Sequence, residues 1–147
     1  MKSAHLILKD NGQAFLYSNS LTKVNLWISS KPYLRLNWKE LTPNEKLKFI
    51  NEALDNSKTG IEKPTSFKDV GKELLGAYGF STWNGLFKKA KLCYIDLENE
   101  LYIFTPSIYD SRTGGHEGVK EGIAKMPVDA APEEIFATLE KVMERSL

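Results

Sequence analysis

Apolar and polar positions alternate in short runs at the start of the chain, and a period of two predicts strands. Leu6 to Leu8 and Ala14 to Tyr17 flank Asp10-Asn11-Gly12. Asn-Gly supplies the positive φ angles of a tight hairpin, so strands are expected at about 4–9 and 13–18. Val24, Leu26 and Ile28 alternate as on one face of a half-buried strand, and Tyr33 to Leu36 suggests a short further one.

The period then changes to that of a helix. Thr42-Pro43-Asn44-Glu45 combines an N-cap, a first-turn proline and a capping-box glutamate, and Leu47, Ile50 and Leu54 follow on one face. After a surface loop over residues 56–65, Ser66 to Asp69 repeats the capping logic. Phe67, Val70 and Leu74 then keep helical spacing until Gly76 and Gly79. Trp83, Leu86, Phe87 and Ala90 predict a shorter amphipathic helix. Leu92 to Leu97 and Leu101 to Phe104 read as a hairpin around Glu98-Asn99-Glu100.

Residues 106–118 are polar and glycine-rich and read as a loop, followed by a short strand around Val119 to Met126. Asp129 is placed to cap a last helix in which Ile135, Leu139 and Val142 form the apolar stripe. Hairpins, helices, a further hairpin and a terminal helix together predict an α+β fold. Its core is a mainly antiparallel sheet built from hairpins, with three to four helices packed on it.

Length and composition bound what such a fold is for. The 147 residues suit one domain, 1–147, large enough to bury a core without disulfides or metals. Cys93 is the one cysteine, which excludes an internal disulfide and a multi-cysteine zinc site; beside Leu92 and Tyr94 it reads as a buried, inert thiol. With no signal-peptide pattern and no apolar run long enough to span a bilayer, a cytoplasmic, non-membrane protein is expected. Net charge is +1, split as 12 Lys/Arg against 8 Asp/Glu over residues 1–75 (+4) and 8 against 11 over residues 76–147 (−3). That balance announces no phosphate-facing cluster, so nucleic acid is not the leading partner.

No catalytic or cofactor site emerges. His116-Glu117 lacks the second histidine of a zinc-protease helix, position 120 being Lys120, and His5 is the only other histidine. Gly114-Gly115-His116-Glu117-Gly118 lacks the Gly-Lys-Ser/Thr ending of a phosphate loop. Ser107, Ser111, Asp110 and His116 fall within ten residues, yet neither serine sits in a nucleophile elbow. A hydrolase built on this loop requires His116 in hydrogen-bond reach of a serine or carboxylate. Lys88, Lys89 and Lys91 near Trp83 and Tyr94 offer a nucleic-acid-binding alternative, although Lys88 and Lys89 are expected on the solvated back of the Trp83 helix.

One arrangement carries more: Trp83-x-x-Leu86-x-x-Lys89-Ala90-x-x-Cys93, then two alternating strands, Pro106 at the end of the second, and a late amphipathic helix. It resembles the immunity proteins of bacterial contact-dependent growth inhibition, the CdiI family, over most of the chain and most distinctively over residues 70–147. The resemblance implies a non-enzymatic cytosolic protein without cofactors. Such a protein binds and blocks the toxic C-terminal domain of a large surface effector, often a nuclease. A nuclease has a basic substrate groove, so charge complementarity directs attention to Asp96, Glu98, Glu100, Asp110 and Glu117, with Tyr109 and Arg112 as anchors.

Overall fold

The computed structural model describes residues 1–110, 112 and 115–146. Strands β1 (Lys2–Lys9) and β2 (Gln13–Thr22) form the predicted hairpin, closed by Gly12 at φ +87°. Strand β3 (Trp27–Asn37) adds antiparallel to β2, and a 3₁₀ turn after it buries Trp38. Then come helix α1 (Pro43–Asp55), the short strand β4 (Thr59–Ile61), and helices α2 (Phe67–Tyr78) and α3 (Trp83–Phe87). Strands β5 (Ala90–Glu98), β6 (Leu101–Asp110), β7 (Gly115–Gly118) and β8 (Ala124–Pro127) precede helix α4 (Pro132–Glu144). The sheet order is β3-β2-β1-β5-β6-β7. Strand β8 pairs with β6, and β4 pairs parallel to β2. This is the expected α+β architecture, with four helices on a mainly antiparallel sheet.

Both sheet faces are covered, which is why β2 is buried along nearly its whole length. On one face Leu6, Leu16, Ile95 and Phe104 pack against Ile50 and Leu54 of α1 and Ile135, Leu139 and Val142 of α4. On the other, Ile7, Phe15, Tyr17 and Leu92 meet Leu74, Leu75 and Tyr78 of α2 and Leu86 of α3. Each large side chain so buried contributes about 1.5–3 kcal/mol.

Helix starts follow local chemistry. Thr42 accepts from the Glu45 amide while the Glu45 carboxylate accepts from the Thr42 amide, completing the predicted box. Ser66 accepts from the Asp69 amide, and Gly79 at φ +80° ends α2. The buried stripe of α2 is Leu74, Leu75 and Tyr78, however, and Phe67 is 43% exposed.

Several expectations are corrected. Val24 and Leu26 lie in the β2–β3 connection, 51% and 48% exposed, so their alternation marks no buried strand face. Helix α3 is only five residues long, and Ala90 opens β5 instead of extending it. Lys88 therefore caps α3 in extended geometry and Lys89 takes φ +52°, so neither sits on the back of a helix. The cap before α4 is Ala131, with no side-chain bond, and not Asp129. The supposed loop at 106–118 is largely the hairpin arm β6–β7, and the strand expected over Val119 to Met126 is a 3₁₀ turn followed by β8. Ser111 and Gly114 lie outside the described residues.

Candidate functional site

The feature that departs most from a plain sheet is the end of β6. Pro106, opposite Cys93, is the last residue of β6 in register with β5; beyond it β6 pairs with β7 alone. Proline has no N–H to give a ladder, so it suits the point where a strand leaves its neighbour. Ser146 fills the seam that results. Its hydroxyl accepts from the Ser107 amide at 3.3 Å and donates to the Leu92 carbonyl at 3.1 Å, standing where a direct strand-to-strand bond would run. Replacing Ser146 by Ala strands the buried Ser107 N–H, and we expect a loss of about 1–3 kcal/mol. Denaturant titration and faster amide exchange at Ser107 will check this; unchanged exchange would mean that the wedge is dispensable.

The arm has two faces. Along it Ser107, Tyr109 and His116 point to the side of α3, where the ring centroid of Phe87 stands 4.5 Å from His116 and 6.0 Å from Tyr109. The opposite face forms a groove of about 710 Å³ in which Ile108, 41% exposed, is ringed by Asp110, Arg112, Glu117, Lys120 and Glu121. Arg112 and Asp110, two residues apart at the end of the arm, pair at 3.3 Å. An apolar centre with a charged rim is the anatomy of a protein-binding patch.

Of the seven residues singled out by charge and loop position, the fold gathers Tyr109, Asp110, Arg112 and Glu117 on this arm. Glu98 and Glu100 lie at the β5–β6 turn, nine residues along β6 from Asp110, or about 30 Å at a strand's rise, and Asp96, opposite Ile103, is seven residues away, or about 23 Å. Burial raises the pKa of Asp96.

Ser107 and His116 do meet, with Oγ 2.8 Å from Nδ1. The arrangement opposes nucleophilic catalysis. Ser107 Oγ is also 2.6 Å from the Leu92 carbonyl oxygen, which can only accept, so the hydroxyl proton lies there. His116 Nδ1–H must then donate to Oγ. The histidine holds the serine and does not take its proton, and Ser107 is fully buried. His116 Nε2 is left an acceptor, buried and without a partner among the described residues.

Next to this pair lies a cleft of about 410 Å³ that sequence reasoning missed, lined by His5, Tyr17, Trp83, Phe87, Tyr94 and His116. The cross-sheet register supplies it: His5 stands opposite Tyr17 on β2 and Tyr94 on β5. His5 Nδ1 lies 3.0 Å from the Tyr17 hydroxyl, and the Tyr94 hydroxyl donates to the His116 carbonyl. Only a knowledge of strand pairing unites positions so far apart in sequence.

Burial, with a smaller repulsion from His116, pushes His5 down to about 3, and burial also lowers His116. An unfolded histidine protonates near pH ~6.5, so below that the unfolded chain binds more protons and stability falls as the pH drops toward 3. At pH ~5 His5 alone should cost about 1–2 kcal/mol, the range set by the distance of that pH below the unfolded value. The raised Asp96 works in the opposite sense at lower pH, so the loss is cleanest between about pH 5 and 6.5. Urea midpoints at about pH 7.5 and 5 measure it; a His5→Phe variant should flatten the difference, and equal midpoints in the parent would refute the buried neutral ring.

At the other end of β1, Lys9, Lys39, Lys46 and Lys91 line a cleft floored by Trp38 and Phe136, and Lys88 and Lys89 stand beside it. Lys9 is a strut, its ammonium donating to the Gly85 and Lys88 carbonyls. Among the described residues no group of three or more His, Cys, Asp or Glu is placed to hold a metal, and no helix is long and apolar enough to cross a membrane.

Two solved structures share the whole architecture. A protein of unknown function from Neisseria meningitidis superposes with a TM-score of 0.76 at 19% identity, covering 99% of this chain and 95% of that one. A chain of the CdiA-CT/CdiI toxin and immunity complex from Yersinia pseudotuberculosis gives 0.68 at 17% identity, covering 99% and 97%. No curated protein matches the sequence. The profile of the family described as CdiI, CDI immunity protein, matches residues 25–146. With that match over most of its length, the chain belongs to the CdiI family of contact-dependent growth inhibition immunity proteins.

Proposed function

We propose that this protein neutralises a cognate CdiA C-terminal toxin domain, with nuclease activity, by forming a stoichiometric complex in the cytosol, and that it does so without catalysis of its own. Membership of the immunity family carries the reading. The arm supplies a surface to match it, because Ile108 offers an apolar centre while Asp110, Glu117 and Glu121 offer carboxylates to a basic nuclease groove. The Ser107–His116 geometry supports a binding role over an enzymatic one, since the only serine–histidine contact among the described residues is locked and buried.

The deciding experiment expresses a candidate cognate CdiA C-terminal toxin domain with and without this chain. Co-purification in a fixed ratio, loss of nucleic-acid cleavage and restored growth are expected. Growth arrest that persists despite folded protein would reject the reading.

A further inference from the structure

The cleft beside α3 contains an incomplete interaction. His116 Nε2 is an acceptor, fixed as such by the Nδ1–H bond to Ser107, and it is buried with nothing among the described residues donating to it. Around it stand the rings of Trp83, Phe87, Tyr94, Tyr17 and His5. No carboxylate lines the cleft, and both histidines are neutral, so no positive charge there repels a cation. A buried acceptor without a donor is costly to the free protein, and a ligand that supplies the donor recovers that cost.

Trp83 is the outer wall. It is 39% exposed, sits on the five-residue α3 and stacks on Phe87 with ring planes 15° apart. Its indole edge rests against Gly71 of α2, where an added Cβ would come within 3.0 Å of the ring. A ligand reaches Nε2 by displacing part of this wall.

We infer that this cleft receives an arginine side chain of the toxin domain, its guanidinium stacked on the cleft's aromatic faces and donating to His116 Nε2. The inference rests on the immunity reading and deepens it. Arginine fits better than lysine because its planar, weakly hydrated fork can stack and donate at once, while an ammonium keeps its water. A nuclease groove that binds phosphate has arginines to offer. The cleft opens on the face of the β6–β7 arm opposite the charged groove, with the Tyr109 and His116 ring centroids 5.3 Å apart, so a partner that engages both wraps the edge of the arm.

The test uses the full chain and its cognate toxin domain. Trp83→Ala should weaken the complex by about 30-fold or more, as loss of an anchor does. In a scan of toxin arginines to alanine, one loss should be strongly non-additive with Trp83→Ala. Independently, long-range proton–nitrogen spectra of histidine-labelled protein should show the His116 Nε2 signal moving upfield on binding, as an acceptor does when it gains a donor. A wild-type complex in which Nε2 does not move and every arginine loss adds independently to Trp83→Ala overturns the cleft assignment alone. Failure of the wild-type proteins to associate overturns the immunity reading, and this inference with it.

Discussion

Reversing Asp110 and Glu117 to lysine together should weaken the complex with the cognate toxin domain by about 100-fold, whereas reversing Glu98 and Glu100 should change it by less than about threefold. The contrast comes from where the fold puts these carboxylates. Glu117 pairs with Ile108, and Asp110 with Gly115, so both acids border the exposed apolar centre of the arm. Glu98 and Glu100 flank the β5–β6 turn, a separation of about 30 Å. Like charges brought together across an interface cost several kcal/mol, while a charge outside it changes mainly the encounter rate. Equilibrium binding and association rates at two salt concentrations separate the cases. The reverse pattern would move the docking face to the β5–β6 end, and loss at neither end would reject charge complementarity as the basis of recognition.

A Gly122→Ala substitution should destabilise the fold by about 2–3 kcal/mol and lower Tm by roughly 5–10 °C, a large effect for one methyl group. A Cβ at Gly122 would stand 2.4 Å from Pro106 Cγ and 3.2 Å from its Cδ. The proline ring cannot turn aside as a long side chain would, because Pro106 is held in the β5–β6 ladder and its carbonyl accepts from the Val119 amide at 2.8 Å. Either the turn before β8 or the base of the arm has to shift. Pairing the substitution with Pro106→Ala should recover much of the loss, and a double mutant no better than Gly122→Ala would show that the strain arises elsewhere. Because the arm hinges at this proline, toxin affinity should fall along with stability.

Features that depend on a few neighbouring residues were readable from the chain. The Thr42 box is closed by atoms three positions apart, and the Asp10-Asn11-Gly12 turn needs only its own φ angles. The stripe of α4 was legible because Ile135, Leu139 and Val142 repeat at the helical period over about two turns. Val24 and Leu26 show where that logic fails: alternation also occurs by chance in a connection, and nothing in the local sequence records that no element covers it. The arm was misread as a loop because its glycines and polar side chains are strand-poor, and pairing with β6 outweighs propensity there.

Four of the seven proposed contact residues come together because they are neighbours on one hairpin. The aromatic cleft escaped notice because it needs His5 of β1, Tyr94 of β5 and His116 of β7 in one place, and only the strand order supplies that.

The sheet order also sets a pace for self-assembly. Strand β1 lies between β2, reached by a tight turn, and β5, whose register partners run from Lys9↔Ala90 to Lys2↔Leu97, that is 90 − 9 = 81 to 97 − 2 = 95 positions downstream. Closing loops of that length costs entropy before any contact repays it, which places the chain among slow-folding topologies. The Ser146 bridge to Leu92 completes the arm with the last residue described. A ribosome-bound chain truncated before β5 therefore has no second neighbour for its central strand. Protection against an incoming toxin would then depend on a standing pool of finished molecules, and fresh synthesis after the attack would come late.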